Sequence, residues 1–174
     1  MIKLKEIIKE LNIPDNMRVH MSKTPITLRN VSISQKTDMK PKGLWYGFGN
    51  EWIDWVRGNM PDLEGNHVYH VIFPESKNVL KIKSVHEIME FTKEYVATNN
   101  EINSYLPGSS GYAHAYGIKT GTMYMDWEKV SKKYEGIEIY PYLYNARHEL
   151  MWYYGWDVAS GCVWNFSNIE LKEL

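Results

Sequence analysis

Six histidines and one cysteine bound the soft-ligand and proton-transfer chemistry open to this chain. His67 and His70 are spaced so that a helix would let them share a metal ion. The run His67-Val68-Tyr69-His70-Val71-Ile72-Phe73 reads as a strand instead, and three residues apart on a strand the two rings face opposite ways. His148-Glu149 opens like a zinc-protease helix, but Trp152 stands where the second histidine belongs. Cys162 lies in an apolar strand context, where a free thiol acts as a small hydrophobe. Gly108-Ser109-Ser110-Gly111 lacks the Lys-Ser/Thr ending of a phosphate-binding loop, and neither serine sits in the Gly-x-Ser-x-Gly frame of a nucleophile elbow. Gly47-Phe48-Gly49 runs into Asn50-Glu51-Trp52 without the third glycine of a dinucleotide fingerprint.

Three separated segments remain. Arg18-Val19-His20-Met21-Ser22-Lys23 reads as a strand that delivers a histidine and then a serine. Lys40-Pro41-Lys42-Gly43-Leu44-Trp45-Tyr46-Gly47 is a basic turn running into an aromatic strand. Tyr134-Glu135-Gly136-Ile137-Glu138-Ile139 is followed by Gly155-Trp156-Asp157-Val158-Ala159-Ser160-Gly161-Cys162-Val163-Trp164-Asn165.

In this order the segments resemble the ADP-ribosyltransferase superfamily, in particular its His–Tyr–acid branch. There the first core strand carries a His followed closely by Ser or Thr, the second a Gly-aliphatic-aromatic-aromatic run, and a late strand the acid. The resemblance implies a single α+β domain over residues 1–174, with short central strands in a split mixed β-sheet flanked by helices. It implies NAD as substrate, and ADP-ribosyl transfer to a macromolecular acceptor, protein or nucleic acid, or NAD hydrolysis. His20 would orient the ribose, with Ser22 as a second polar contact. Gly43, Leu44, Trp45 and Tyr46 would form the nicotinamide wall, and Asp157 or Glu138 would be the acid.

The chemistry suits these residue types. A cationic nicotinamide stacks on an aromatic face. Histidine can donate a hydrogen bond to a ribose hydroxyl. A carboxylate steadies the oxocarbenium-like charge and orients or deprotonates the acceptor. The sequence departs from the family pattern in two places. Trp45 holds the position of the stacking Tyr and Tyr46 is the next residue, so the two point to opposite faces. The final strand carries Asn165 where a Glu is expected. The Gly43-to-Gly47 run with Tyr134-Glu135-Gly136-Ile137 also looks like small phage-encoded proteins. That likeness leaves a second reading open, a non-catalytic accessory protein that binds a nucleotide or host protein through an aromatic groove in the host cytoplasm.

The elements that must position these residues follow from periodicity. Leu4, Ile7, Ile8 and Leu11 predict a first helix ended by Pro14. Strands are expected over 18–21, 43–48, 67–73, 79–82, 136–140 and 160–166, with residues 22–40 as a surface loop. Trp52, Trp55 and Val56 share one helical face behind Asn50. Ser84-Val85-His86-Glu87 is a capping box opening a helix with Val85, Ile88, Met89, Thr92, Tyr95 and Val96 on one face. Asp126 caps a short helix, and a longer one is expected over 145–154. In the alternating run Ile137-Glu138-Ile139, Glu138 projects opposite the core face. The long segment 98–125, with Tyr105, Tyr112, His114 and Tyr116, is the natural place for acceptor recognition.

Composition bounds the rest. The 174 residues suit one domain, and 44% hydrophobic with 24% charged excludes global disorder. A net charge of −1 disfavours broad nucleic-acid binding. No apolar run nears the ~20 residues of a membrane span. Met1-Ile2-Lys3-Leu4-Lys5-Glu6 alternates charge with apolar residues, unlike a signal peptide, and a lone cysteine suits a reducing cytoplasm. Seven Trp, thirteen Tyr and four Phe imply an aromatic core, a stacking groove, or a subunit interface.

Overall fold

The computed structural model describes residues 13–97, 117–118 and 124–174. The first helix over Leu4, Ile7, Ile8 and Leu11, and the aromatic segment with Tyr105, Tyr112, His114 and Tyr116, lie outside the described residues. The described chain is mixed α+β. Its elements are β1 (Arg18–Ser22), β2 (Thr37–Asp38), β3 (Leu44–Phe48), α1 (Glu51–Asn59), β4 (His67–Ile72), β5 (Val79–Ile82), α2 (Val85–Tyr95), β6 (Met125–Asp126), α3 (Trp127–Ser131), β7 (Gly136–Ile139), α4 (Tyr144–Arg147), α5 (Met151–Tyr154), β8 (Ser160–Val163) and β9 (Glu170–Glu173). No helix among the described residues is long and apolar enough to cross a membrane.

Seven strands form one sheet in the order β5-β7-β8-β3-β1-β4-β9. Among the described residues only β5 and β7 pair in parallel; the other pairings of the sheet are antiparallel. β2 and β6 form a separate small ladder. β1 and β3, which carry His20 and Trp45, are therefore neighbours, and β8, which follows Asp157 in the chain, lies on the other side of β3.

Register sorts the side chains of these central strands onto two faces. Trp45, Cys162 and Ile137 lie in one cross-strand row, and Tyr46, Gly161 and Glu138 in the next. Adjacent rows point oppositely. The Ile137 face is covered by α2, α3, α4 and α5, and its core holds Ile82, Ile88, Met89, Ile139, Trp127, Trp152, Trp156 and Trp164. The opposite face has its own core around Leu44, Tyr46, Phe48, Val71, Phe73 and Val163. A third cluster seats α1 on β1 and β4 through Ile53, Val56, Val19, Met21 and Val68.

Much of the aromatic content is thus core. Trp152 donates its indole N–H to Thr92 Oγ1 at 3.0 Å, and Trp164 to the Tyr134 carbonyl at 2.8 Å. Such bonds let a large amphipathic ring be buried without an orphaned donor.

Local signals act as expected at two helix starts. Ser84 Oγ accepts the Glu87 N–H at 3.2 Å, and the Glu87 carboxylate reaches back to the Lys83 N–H at 2.6 Å. Asp126 accepts the Lys129 N–H at 2.9 Å. Asn50 stands at the start of α1 but makes no side-chain cap.

Four expectations are corrected. The helix expected over 145–154 is two single turns, because Leu150 leaves helical geometry (φ −122°) to become fully buried. The last strand stops pairing at Val163, and Glu170–Glu173 adds an edge strand to β4. Residues 22–40 are not all loop, since β2 pairs with β6 and Ser32 bridges Asn165. Glu138 projects opposite the isoleucines as expected, but onto the second core, where it is buried.

Candidate functional site

The candidate site forms where two adjacent strands part. β1 and β3 pair only at Arg18–Phe48 and Val19–Gly47. Beyond that point β1 follows β4 as far as Ser22, whereas β3 stays with β8 down to Leu44. A pocket of about 270 Å³ opens there, lined by His20 and Met21 of β1, Trp45 and Gly47 of β3, Trp52 of α1, Lys40, and the Gly155-Trp156-Asp157 turn before β8.

His20 spans the gap between the strands. Its Nδ1 lies 2.6 Å from the Trp45 carbonyl oxygen. A carbonyl only accepts, so Nδ1 carries the proton and donates. Burial holds the imidazole below its usual pKa, and the Trp45 carbonyl offsets this only in part. The neutral Nδ1–H tautomer leaves Nε2 as a lone-pair acceptor. The donor role expected for His20 toward a ribose hydroxyl is therefore reversed: the hydroxyl would donate to Nε2.

Trp45 is the aromatic of β3 that belongs to this cleft. Its indole N–H donates to the Pro41 carbonyl at 3.2 Å, and its ring meets Trp156 edge-on at 4.7 Å. Trp156 is 1% exposed, and its buried indole N–H has no hydrogen-bond partner among the described residues. Trp52 approaches because residue 47 is glycine; a Cβ there would stand 2.7 Å from the Trp52 Cβ. Trp52 in turn stacks on Trp55, ring centroids 5.3 Å apart and nearly parallel at 11°.

Charge gathers at the mouth. Asp157 accepts from Arg147 at 3.1 Å, and the Arg147 guanidinium also covers the Tyr154 ring at 4.6 Å. Lys40 is exposed as a residue, yet its ammonium leans over Trp45, 5.3 Å from the ring centroid. Partial desolvation lowers its pKa, and the charge of Asp157 pulls the other way.

Tyr46 and Glu138 are brought together, but away from this cleft. The Tyr46 hydroxyl donates to Glu138 Oε1 at 3.0 Å, and Arg18 Nε donates to the same oxygen. Gly161 makes this possible: a Cβ there would stand 2.6 Å from the Tyr46 ring. Burial first, and then Glu138, push the Tyr46 hydroxyl well above its ordinary pKa. Burial alone would lower the pKa of Arg18, but Glu138 outweighs it, and the guanidinium lies over Phe73 at 4.1 Å. Tyr46 adds to the pocket wall while its hydroxyl points elsewhere.

The remaining candidates have structural partners. Ser22 closes a local turn, donating to the Thr24 carbonyl at 2.6 Å and accepting the Thr24 N–H. Gly43 lets β3 pass β8, since a Cβ would stand 2.2 Å from the Val163 carbonyl oxygen. Leu44 belongs to the second core. Cys162 is fully buried, and burial raises its pKa well above the ordinary range. His67 lies on a strand and binds Glu173 at 2.7 Å. No group of three metal-ligating side chains occurs among the described residues.

Sequence reasoning did not single out Lys40, Trp52 or the ring of Trp156 as wall residues. The signal for Trp156 was its place beside Asp157; for Lys40 it was the basic turn before β3. No family model, curated protein or solved structure matches the chain.

Proposed function

We propose that the cleft binds NAD⁺ by its nicotinamide–ribose end and that the chain breaks the nicotinamide–ribose bond, transferring ADP-ribose to a macromolecular acceptor or to water. One observation carries this reading: His20 of β1, Trp45 of β3 and Asp157 of the turn before β8 line a single pocket. The ADP-ribosyltransferase-like order of His strand, aromatic strand and late acid is supported by the adjacency of β1, β3 and β8.

The partners of each group support the role assigned to it. Trp45, clamped by Pro41 and Trp156, offers a rigid face for the cationic ring. His20 Nε2 accepts from a ribose hydroxyl. Asp157 opposes the positive charge that grows at the anomeric carbon as nicotinamide leaves. Glu138 drops out as the acid, because both Arg18 and Tyr46 hold it in the second core. The Arg147 pair on Asp157 favours the second reading to the extent that it persists with ligand bound, giving a cleft that holds a nucleotide without cleaving it.

The test is nicotinamide release from NAD⁺ in the presence of cell lysate, for wild type, His20→Ala and Asp157→Asn. Turnover in wild type that is lost in both variants, with the fold retained by circular dichroism, supports the transferase or hydrolase reading. NAD⁺ binding by calorimetry without nicotinamide release selects the accessory-protein reading. The absence of both binding and release excludes NAD⁺ as the ligand.

A further inference from the structure

We propose that Lys40 is the anion-binding residue of this cleft, so that the ligand taken there carries a phosphate or diphosphate next to its flat ring and sugar. The inference rests on the cleft reading and deepens it by naming the ligand's charged part.

The geometry sets Lys40 apart from the other cations near the site. Arg147 already serves Asp157 at 3.1 Å and lies against Tyr154. Lys40 makes no ion pair or hydrogen bond through its ammonium among the described residues. Its partner is the π face of Trp45, the surface a flat cationic ring would need. Two cations cannot share that face. A ring stacking on Trp45 therefore displaces the ammonium, which its flexible four-carbon stem carries toward the open side of the pocket.

What waits there must be negative for the exchange to be favourable. Of the residues that line the pocket, Lys40 and Asp157 carry charge, with His20 kept neutral; Arg147 stands behind Asp157, and the Glu51 carboxylate accepts the Ala159 N–H nearby. Asp157 is already paired with Arg147, so Lys40 is the lining cation without an ion pair among the described residues. Gly155 holds the lysine in place by leaving it room. A Cβ at 155 would stand 3.0 Å from Lys40 Cε and 3.4 Å from Nζ. An alanine there would shift the ammonium while keeping its charge, and the backbone at 155 (φ −81°) accepts alanine.

The experiment compares calorimetric affinities for nicotinamide riboside and nicotinamide mononucleotide, which differ by one phosphate, with ADP run in parallel. The expected wild-type preference for the mononucleotide is roughly tenfold, the scale of one charge-assisted hydrogen bond. Lys40→Gln should bring that ratio to about one, and Gly155→Ala should reduce it by a smaller factor. A wild-type ratio near one, or a ratio that survives Lys40→Gln, overturns the inference. If neither nicotinamide probe binds but ADP does, and Lys40→Gln abolishes it, the anion site stands and the nicotinamide reading falls. If none of the three binds, both fall.

Discussion

Trp45 and Tyr46 are neighbours in the chain and inhabit two different kinds of environment. Behind Tyr46 the polar groups that meet at Glu138 have found partners within the protein: the Tyr46 hydroxyl and the Arg18 guanidinium both serve its carboxylate, and Phe73 covers the guanidinium. Around Trp45 the polar groups are left with unused capacity. His20 keeps the Nε2 lone pair, Lys40 rests on a ring, and the Trp156 N–H has no partner among the described residues. Satisfied buried networks fix a structure, whereas unsatisfied groups around a concavity mark a place prepared for something else. The two sides of one strand thus separate a satisfied buried network from the cleft proposed above to take a ligand.

The sharpest way to break this contrast is to cut the network behind Tyr46. Glu138→Ala strips Arg18 and Tyr46 of their common acceptor, and removing one member of a buried pair costs about 3–5 kcal/mol. Chemical denaturation should register that loss. An effect below about 1 kcal/mol would mean that the triad is dispensable. Gly161→Ala should follow, because the new methyl meets a fixed aromatic ring at 2.6 Å. Overpacking of this kind costs about 1–3 kcal/mol, and the same titration checks it. Tyr46→Phe leaves the Arg18 contact intact and should cost about 1 kcal/mol, the value of one buried hydrogen bond.

The cleft variants should behave in the opposite way. Trp45→Ala should abolish NAD⁺ binding by calorimetry while the far-ultraviolet circular dichroism spectrum is retained. If Tyr46→Phe abolished binding and Trp45→Ala spared it, the two sides would have to exchange roles.

The smallest effect is on pH dependence. The His20 pKa is lowered from its ordinary 6.5 in the folded state. Between the lowered value and 6.5 the unfolded chain binds more protons, so stability falls as pH drops through that window and is fully present above it. His70 is shifted in the same direction, by burial and then by Arg18 and Lys172. His20→Ala should flatten part of the decline below pH 6.5, and a second substitution at His70 should flatten more. Denaturation series at several pH values would measure both.

The sequence carried the strands because they alternate. Val19 and Met21 against His20, and Ile137 and Ile139 against Glu138, have the period of a pleated surface. The side chain that bonds a helix's free N–H groups was equally legible at Ser84 and Asp126, since capping is a local interaction. The fate of Glu138 was not legible. Alternation predicts a solvated outer face, but here that face is covered by a second core, a property of how distant strands assemble. The roles of Trp45 and Tyr46 were undecided for the same reason: period two says that they diverge, and only the sheet says which side is hollow. The place of Lys40 in the wall was not legible because it depends on Gly155, which reaches it only through the tertiary structure, although Trp45 lies in the same local turn.

The parting of β1 from β3 has a consequence for communication. A ring nitrogen closes the interval left between the two main chains, so the imidazole is at once part of the sheet's bonding and part of the cleft's wall. Its two nitrogens are electronically joined. A hydroxyl that donates to Nε2 polarises the ring, makes Nδ1–H a stronger donor, and tightens its hold on the Trp45 carbonyl. A ligand hydroxyl at Nε2 would therefore strengthen the side-chain bond that ties His20 of β1 to the Trp45 carbonyl of β3.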